Sequence, residues 1–326
     1  MNYKRYSFQY LNASWLAGCH PCRGVALIAV FWLVLLLSLL ALGYATTARL
    51  KGQTMLNRKL RLTDGLLLDS SLERGWYEYL KFRDNRRLLN RKEEVEALSG
   101  QPLDLWFPRY EPYEISVSGL PVAIKIVSEA GKFNVNRLKV EQWQQILELC
   151  GVSEGEEQTT IINSVQDWID GDDAHRLQGA ENDYYRHHTP EYYCKNNDIE
   201  ILEELLLVRG VSSELFYGGN GRPGLVNLLS VYGAEGKIDV NSADPAAFRL
   251  AGELPDDVIE EIVKRRREQP IRTIKELVDV VPQEFYSQFS RYFTVVTRIN
   301  YLQVAAARMD SEHQAGSWRR RWYRGF

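Results

Sequence analysis

The chain has 326 residues, of which 45% are hydrophobic and 25% are charged, and its formal net charge is −3. This ordinary composition argues against wholesale disorder, and the length predicts two folded units plus an anchor. The small net charge offers none of the large basic excess with which nucleic-acid-binding proteins neutralise phosphates.

The first predicted element is a membrane-spanning helix. No charged residue occurs between positions 24 and 48, and residues 25–45 are dense in leucine, valine and alanine. A helix of about 20 apolar residues rises about 30 Å, which is enough to cross the hydrocarbon core of a bilayer. Since only a helix satisfies its own backbone groups in lipid, the run predicts a single transmembrane helix.

The segment before this helix predicts a cleavable leader of residues 1–24, which carries three basic residues and no acidic residue. The apolar run is too long for an ordinary secretory signal, and the cleavable-looking site precedes it. Gly24, followed at once by Val25 and further apolar residues, resembles the type III signal of prepilins. That resemblance implies cleavage after Gly24 by a prepilin peptidase, a methylated mature N-terminus, and an N-terminus that faces the cytoplasm.

Beyond the membrane, the sequence predicts a continued helix and then an antiparallel sheet. Apolar residues at helical spacing extend the helix, and the stretch to about position 100 is expected to be helical. A β-hairpin follows, because two runs of alternating apolar residues flank a turn at residues 118–121. Further alternation at residues 293–301 predicts a strand, and Trp318 and Trp322 indicate a last strand.

A long helical stretch separates the hairpin from the C-terminal strands. Its apolar residues recur at helical spacing, as Trp143 and Leu147 do, and as Val165 and Trp168 do. The sequence therefore predicts an α+β fold with an N-terminal transmembrane and spine helix, a pilin-like antiparallel sheet and a large inserted all-α domain. The predicted limits are 25–62 for the transmembrane and spine helix, 63–137 plus 288–326 for the α+β core, and 138–287 for the inserted domain.

Four sequence blocks, in order along the chain, carry a closer resemblance. They are SEAGKFNVN at 128–136, DWIDGDD at 167–173 with GAENDYY at 179–185, EELLLVRGV at 203–211, and KIDVNSA at 237–243. Together they resemble the minor pseudopilin K family of type II secretion systems, also called general secretion pathway protein K. Most pilins carry Glu at the fifth mature position, where a carboxylate in lipid needs a partner. Here that position is Ala29, which is similar to the K-type subunit.

The resemblance implies a non-enzymatic minor pseudopilin at the tip of the secretion pseudopilus, which initiates or caps assembly for the export of folded proteins across the outer membrane. It implies I- and J-type minor pseudopilins, the prepilin peptidase and the inner-membrane secretion platform as partners, and no nucleic acid. The expected location is the Gram-negative inner membrane, single-pass, with the bulk of the chain in the periplasm. Two alternatives stay open: a minor subunit of a DNA-uptake or type IV pilus, and a membrane-anchored periplasmic enzyme.

Acidic residues crowd one predicted loop, where a cation is the expected ligand. The candidate ligands within 14 positions are Asp170, Asp172, Asp173, Glu181 and Asp183. Calcium takes six to eight oxygen ligands, and like charges this dense repel one another unless a cation joins them. The spacing is not that of an EF-hand, and a solvated acidic loop is the alternative. The family resemblance, which implies calcium in the helical domain, favours a structural Ca²⁺. Asp198 and Asn197, in the next segment, are further candidates to complete the shell, whereas Asp167 is expected to be a helix residue.

Two cysteines of the exported part form a candidate disulfide. Cys150 and Cys194 would meet an oxidising compartment after export, which makes a bridge between them a plausible prediction. The sequence does not show whether their Cα atoms come close enough. His175, His187 and His188 with Cys194 fit no common zinc spacing.

Residues 240–267 resemble helix-hairpin-helix DNA binders. Asp244 suits an N-cap, with Pro245 in the first helical turn. The turn at 252–255 contains an acid and lacks a second glycine, and two aspartates at the start of the next helix repel phosphate. We therefore expect this fold without DNA binding.

Overall fold

The computed structural model describes residues 25–252, 254–296, 298–309 and 316–324. The predicted leader, with Gly24, lies outside the described residues. Contacts divide the chain into two units, Met1–Asp64 and Gly65–Phe326, and each is described by itself.

One long N-terminal helix is followed by a mixture of shorter helices and strands. The α-helices are α1 (Val25–Asn85), α2 (Lys92–Ser99), α3 (Val140–Leu149), α4 (Glu156–Ile169), α5 (Asn182–Tyr185), α6 (Ser213–Tyr217), α7 (Leu225–Leu228), α8 (Asp256–Glu268) and α9 (Gln283–Tyr292). The strands are β1 (Arg109–Val117), β2 (Leu120–Ser128), β3 (Phe133–Asn134), β4 (Gly218–Gly219), β5 (Arg222–Pro223), β6 (Leu229–Ser230), β7 (Ile238–Asp239), β8 (Phe293–Thr294), β9 (Tyr301–Arg308) and β10 (Arg319–Arg324). Short 3₁₀ turns cover Arg86–Arg91, Glu129–Gly131, Val135–Arg137, Leu202–Leu207, Pro245–Ala251 and Ile274–Leu277.

The first unit consists of the N-terminal part of α1. With 61 residues, α1 is about 90 Å long at the usual helical rise of about 1.5 Å per residue. Side chains from residue 26 to residue 63 are exposed, and the most apolar 18-residue window has a mean hydropathy of 2.7. Among the described residues, this is the one helix long and apolar enough to cross a membrane. The predicted long apolar helix is confirmed.

The second unit contains a four-stranded antiparallel sheet in the order β1-β2-β9-β10. The predicted hairpin is present as β1 and β2, joined at Ser118 and Gly119. The C-terminal part of α1 packs on one face of the sheet, where Leu72 joins Ile124 and Val304 in a buried cluster. The α+β class with an antiparallel sheet is therefore confirmed.

The strand predicted at residues 293–301 is wrong in its extent. Among the described residues before Tyr301, only β8 forms there, and it pairs in parallel with β7, while the sheet strand β9 begins at Tyr301. After β8 the chain leaves the strand pairing, and the backbone N–H of Val296 donates to the Asp239 carboxylate at 3.0 Å. Phe293 lies in the core of the helical region and Val295 packs against it, whereas Ile299 packs against the cluster between α1 and the sheet, so the alternation does not come from one strand. The predicted last strand is present as β10, which begins one residue after Trp318.

The helices after β3 enclose a separate hydrophobic core. This core contains Trp143, Leu147, Val165 and Trp168, as their helical spacing predicted. It also extends to residues just outside the predicted limits of 138–287: Phe133, Val135, Phe289, Tyr292 and Phe293. Apolar residues also recur at helical spacing near residues 202–206 and 274–281, and there the structure has the short 3₁₀ turns Leu202–Leu207 and Ile274–Leu277.

Candidate metal centre

The acidic loop begins where α4 ends. Two glutamates in the first turn of α4 favour its N-terminus, because they face the positive end of the helix dipole. The last turn carries Asp167 and Trp168 toward the core, where both are buried. Asp170 then caps the helix, since its backbone N–H donates to the Gln166 carbonyl at 3.0 Å.

Three carboxylates converge at this loop. One ligand oxygen from each of Asp170, Asp172 and Glu181 lies within 4.8 Å of the others. Glu181 comes from the start of α5 and is only 1% exposed, whereas Asp172 is exposed at the surface. The arrangement therefore combines a deep carboxylate with ligands that open to solvent.

Several oxygens at this site are buried without a hydrogen-bond partner among the described residues. They are both carboxylate oxygens of Glu181, Oδ1 of Asp170 and Oδ1 of Asn196. A buried acceptor without a partner costs free energy, and buried polar groups are nearly always satisfied. These four oxygens form a donor set that a cation would satisfy.

The raised pKa of Glu181 also favours a cation at this cluster. Burial raises the pKa of the Glu181 carboxyl to about 7, and the charges of Asp167, Asp170 and Asp173 act in the same direction. A bound cation reverses this effect, because it stabilises the ionised carboxylates that surround it.

Asp167 and Arg176 hold the loop in shape. The buried Asp167 carboxylate accepts from the backbone N–H of Arg176 at 3.1 Å and from its guanidinium at 2.6 Å. The same guanidinium also contacts the second oxygen of Asp170. A Cβ at Gly179 would collide with the Asp167 carboxylate, so only glycine fits there. Asp167 thus lies in α4, as the sequence predicted, and positions the loop from the helix.

The other predicted ligands lie around the cluster and not within it. Asp173 accepts from the amide of Asn182 at 2.7 Å. Asp183 is exposed, with its carboxylate 4.0 Å from His175. Asp198 forms a bidentate ion pair with Arg137, with distances of 3.1 and 2.8 Å, in place of a contact with the acidic loop.

Asn196 is a site residue that the sequence reasoning missed. Its backbone N–H donates to the Trp168 carbonyl at 3.1 Å, which brings the residue over the end of α4. Its amide group donates to the Asp172 carbonyl at 3.3 Å and to the Asp173 carboxylate at 3.4 Å. A positive φ of 50° at Asn196 is a conformation that asparagine adopts more readily than most residues. The available sequence signal was its place in the run Asn196-Asn197-Asp198.

This donor set fits a hard divalent cation. Carboxylate and amide oxygens are the ligands that Ca²⁺ prefers, and waters on the exposed side complete a shell of six to eight. Asp170, Asp172 and Glu181 would hold the ion, and the Asn196 amide oxygen offers a fourth ligand. Among the described residues, this is the group of carboxylates that comes close enough to share an ion.

The two cysteines of the second unit are free thiols, so the structure does not contain the predicted bridge. The Cys194 thiol donates to the Asp167 carbonyl at 3.4 Å. Burial raises the pKa of the Cys150 thiol to about 12.

In the helix-hairpin-helix-like part, the predicted cap is present. The Asp244 carboxylate accepts from the backbone N–H of Ala246 at 2.9 Å, and Pro245 follows it. Two arginines of the basic run in α8 have internal partners. Arg265 pairs with Asp279 at 2.8 Å, and Arg266 is fully buried.

One comparison with known proteins covers the acidic loop. A sequence model of one family, described as type II secretion system protein K, matches residues 131–217. A curated relative, the putative type II secretion system protein K of Escherichia coli strain K12, is 32% identical over 56 residues. That alignment covers 17% of this chain and 17% of the relative, so the match spans about a sixth of the relative's length.

One solved structure is similar over a larger part of the chain. It is described as the crystal structure of the GspK-GspI-GspJ complex from the type 2 secretion system of enterotoxigenic Escherichia coli. The similarity has a TM-score of 0.40 and 17% sequence identity, and it covers 76% of this chain and 98% of that chain.

Proposed function

We infer a function from one premise: the chain belongs to the type II secretion system protein K family, a family of minor pseudopilins. We propose that it is the minor pseudopilin at the tip of the secretion pseudopilus, where it initiates or caps assembly. Its role is structural and not catalytic. The filament then serves the export of folded proteins across the outer membrane.

One observation carries this proposal. In α1, the exposed apolar stretch that could cross a bilayer continues, without a break in the helix, to the part that packs on the antiparallel sheet. The exposed leucines beyond the uncharged run, among them Leu50, Leu56 and Leu60, lack partners of their own within the described chain. Neighbouring helices of other pseudopilins would cover them.

The tip position is favoured by two further features. The helical region between β3 and β8 has a hydrophobic core of its own, and a body of that size is hard to fit inside a tight filament. Ala29 replaces the Glu with which most pilins meet the N-terminus of a neighbouring subunit. A subunit without this carboxylate has no buried charge that a further subunit above it would need to pair.

The related GspK occurs in a complex with GspI and GspJ. We propose the corresponding I- and J-type minor pseudopilins as partners of this chain, together with a prepilin peptidase and the inner-membrane secretion platform. The peptidase would cut between Gly24 and Val25 and leave the mature N-terminus to be methylated. The bulk of the chain would then lie in the periplasm, anchored by α1.

We also propose that the acidic loop holds a structural Ca²⁺. The unpartnered buried oxygens of Asp170, Glu181 and Asn196 support this, and the ion would fix the loop after α4. Asp173, Asp183 and Asp198 are weaker candidates, because their carboxylates have other neighbours.

The test is co-purification of the full chain from membranes with I- and J-type pseudopilins, in the presence of prepilin peptidase. We expect a mature chain that starts at Val25 and recovers both partners. Leu56→Arg, on the exposed part of α1, should lose the partners. Leu98→Arg is the matched control, since Leu98 is 82% exposed on α2.

Two further readouts separate the tip role from simple membership of the filament. Antibodies against the second unit should label one end of isolated pseudopili, and removal of the chain should abolish or delay filament assembly. Labelling along the whole filament contradicts the tip role. An uncut chain that starts at Met1 and recovers neither partner contradicts the pseudopilin assignment.

A further inference from the structure

A cavity of about 300 Å³ lies within the second unit, at the junction of the end of α1, the approach to β1 and the helical region. We call it the Arg272 slot. The residues that line it are Phe82, Arg86, Arg87, Leu89, Phe107, Pro108, Asp239, Asn241, Pro270, Ile271, Arg272, Val295, Val296 and Ile299. Nothing in the assembly role of the chain requires this cavity.

The interior of the slot is apolar. Phe82, Phe107 and Ile271 are buried side chains of the wall. The polar groups of the wall have internal partners: Asn241 and Ile271 exchange two hydrogen bonds of 2.9 Å. The Asp239 carboxylate accepts from the Val296 N–H at 3.0 Å. A side chain bound in the slot therefore contacts a hydrophobic surface whose polar groups already have hydrogen-bond partners.

The rim of the slot is positively charged. Arg87 and Arg272 are exposed, and neither has an ion pair within the described part of the chain. Arg272 donates one N–H to the Leu89 carbonyl at 2.8 Å, which fixes its side chain at the rim and leaves its other donors open. The one carboxylate of the lining, Asp239, is buried and engaged. This differs from Arg321, whose guanidinium pairs with carboxylates of α1.

The size and chemistry of the slot indicate the chemical class of its ligand. A cavity of this volume lies at the lower end of the range for small-molecule sites, about 300–1,000 Å³, and it suits one or two large side chains. Guanidinium groups recognise carboxylates through paired, charge-assisted hydrogen bonds. We propose that the Arg272 slot binds a peptide segment of a partner protein, in which a large apolar side chain is flanked by Asp or Glu.

The apolar side chain enters the slot, and the flanking carboxylates meet Arg87 and Arg272. This binding site goes beyond the assembly function and does not depend on it. Because exposed charge pairs are screened by salt, binding should weaken as ionic strength rises.

The test uses the full chain in detergent and a short rhodamine-labelled peptide with one phenylalanine flanked on each side by glutamates, followed by fluorescence anisotropy. Two control peptides replace the glutamates by lysines or the phenylalanine by alanine. We expect both controls to bind at least about tenfold more weakly than the parent peptide. Equal binding of all three overturns the proposal.

Variants locate the site. Arg87→Gln with Arg272→Gln removes the rim charge at exposed positions and should weaken binding at least about tenfold. Arg320→Gln with Arg324→Gln removes the same charge from β10 and should leave binding unchanged. Val296→Phe fills the slot and should abolish binding, with thermal unfolding as the check on its fold. Equal loss in the two double variants overturns the proposal, as does arginine-dependent binding to phosphatidylglycerol vesicles without binding of the peptide.

Discussion

Arg266 of α8 and Glu111 of β1 form a buried ion pair that joins the helical region to the sheet. The guanidinium Nε lies 3.0 and 3.1 Å from the two carboxylate oxygens, and Nη2 lies 2.6 Å from Oε1. The Nη1 group of Arg266 donates to the carbonyls of Val240 and Ala243 at 2.8 and 2.7 Å. The arginine is fully buried, and each of its three guanidinium nitrogens has an acceptor.

Replacement of one partner of this pair should destabilise the second unit strongly. Arg266→Met leaves Glu111 as an uncompensated buried charge, and such changes cost about 3–5 kcal/mol. Arg265→Met is the matched control on the same helix. Its partners are exposed, so the expected cost is at most about 1 kcal/mol.

The measurement is urea unfolding of the detergent-solubilised chain, followed by tryptophan fluorescence. The double variant Arg266→Met with Glu111→Leu should recover part of the loss, because no unpaired charge remains. Recovery stays incomplete, since the carbonyls of Val240 and Ala243 lose their donor. Equal stability of Arg266→Met and Arg265→Met contradicts the structural role of the pair.

The close approach of α1 to the sheet predicts a second effect. A Cβ at Gly75 would lie 2.6 Å from Val304 Cγ1 and 2.9 Å from Ile124 Cγ2. At Gly65, on the same helix, the nearest atom is 4.0 Å away. Both Gly→Ala changes gain about 1 kcal/mol of stability from helix propensity. Only Gly75→Ala also overpacks the core, which costs about 1–3 kcal/mol of stability.

Gly75→Ala should therefore be less stable than Gly65→Ala by about 1–3 kcal/mol. Thermal unfolding of the two variants beside the unaltered chain measures this difference. If both variants gain the same stability, the helix and the sheet lie farther apart than the structure places them.

Strong local periodicity explains what the sequence could predict of the fold. The uncharged run at the start of α1 and the alternation in β1 and β2 depend only on neighbouring residues, and both elements form. The strand prediction for residues 293–301 was wrong in its extent because the alternation there has a different cause. Phe293 and Val295 contact the core of the helical region, whereas Ile299 packs against the cluster between α1 and the main sheet. A strand pattern does not say which surface buries it.

The candidate site, like the fold, was predicted only in part from the sequence. Acidic spacing located the loop, and three of the six proposed ligands, Asp170, Asp172 and Glu181, converge. Asp198 could not be excluded by spacing, because its partner Arg137 is 61 positions away in the chain. Asn196 could not be found by charge, since its amide reaches the site only after the backbone returns over the end of α4.

The thiols provide a chemical test of the second unit. Burial raises the pKa of the Cys150 thiol to about 12, so little reactive thiolate exists near pH 8. We expect iodoacetamide to modify Cys150 and Cys194 slowly in the folded chain and rapidly after unfolding in urea. Peptide mapping by mass spectrometry measures both. If the predicted disulfide forms after export, neither cysteine is modified in urea until a reductant is added.

Calcium should stabilise the chain through the acidic loop. A ligand that binds only the folded state, at a free concentration of about a hundred times its Kd, adds about 2.7 kcal/mol to the free energy of unfolding. This raises the unfolding temperature. Magnesium should stabilise less, because it demands octahedral geometry and gives up water reluctantly. Chelation with EDTA should reverse the shift in unfolding temperature.

Glu181→Gln is the decisive variant, because it removes a buried charge and keeps the shape of the side chain. Without calcium, we expect this variant to be at least as stable as the unaltered chain, since its side chain no longer buries an unpaired carboxylate. With calcium, the unaltered chain should gain stability and the variant should not. Asp198→Asn is the control and should keep the full response, because Asp198 pairs with Arg137 outside the cluster. A calcium response that survives in Glu181→Gln and disappears in Asp198→Asn would place the ion elsewhere.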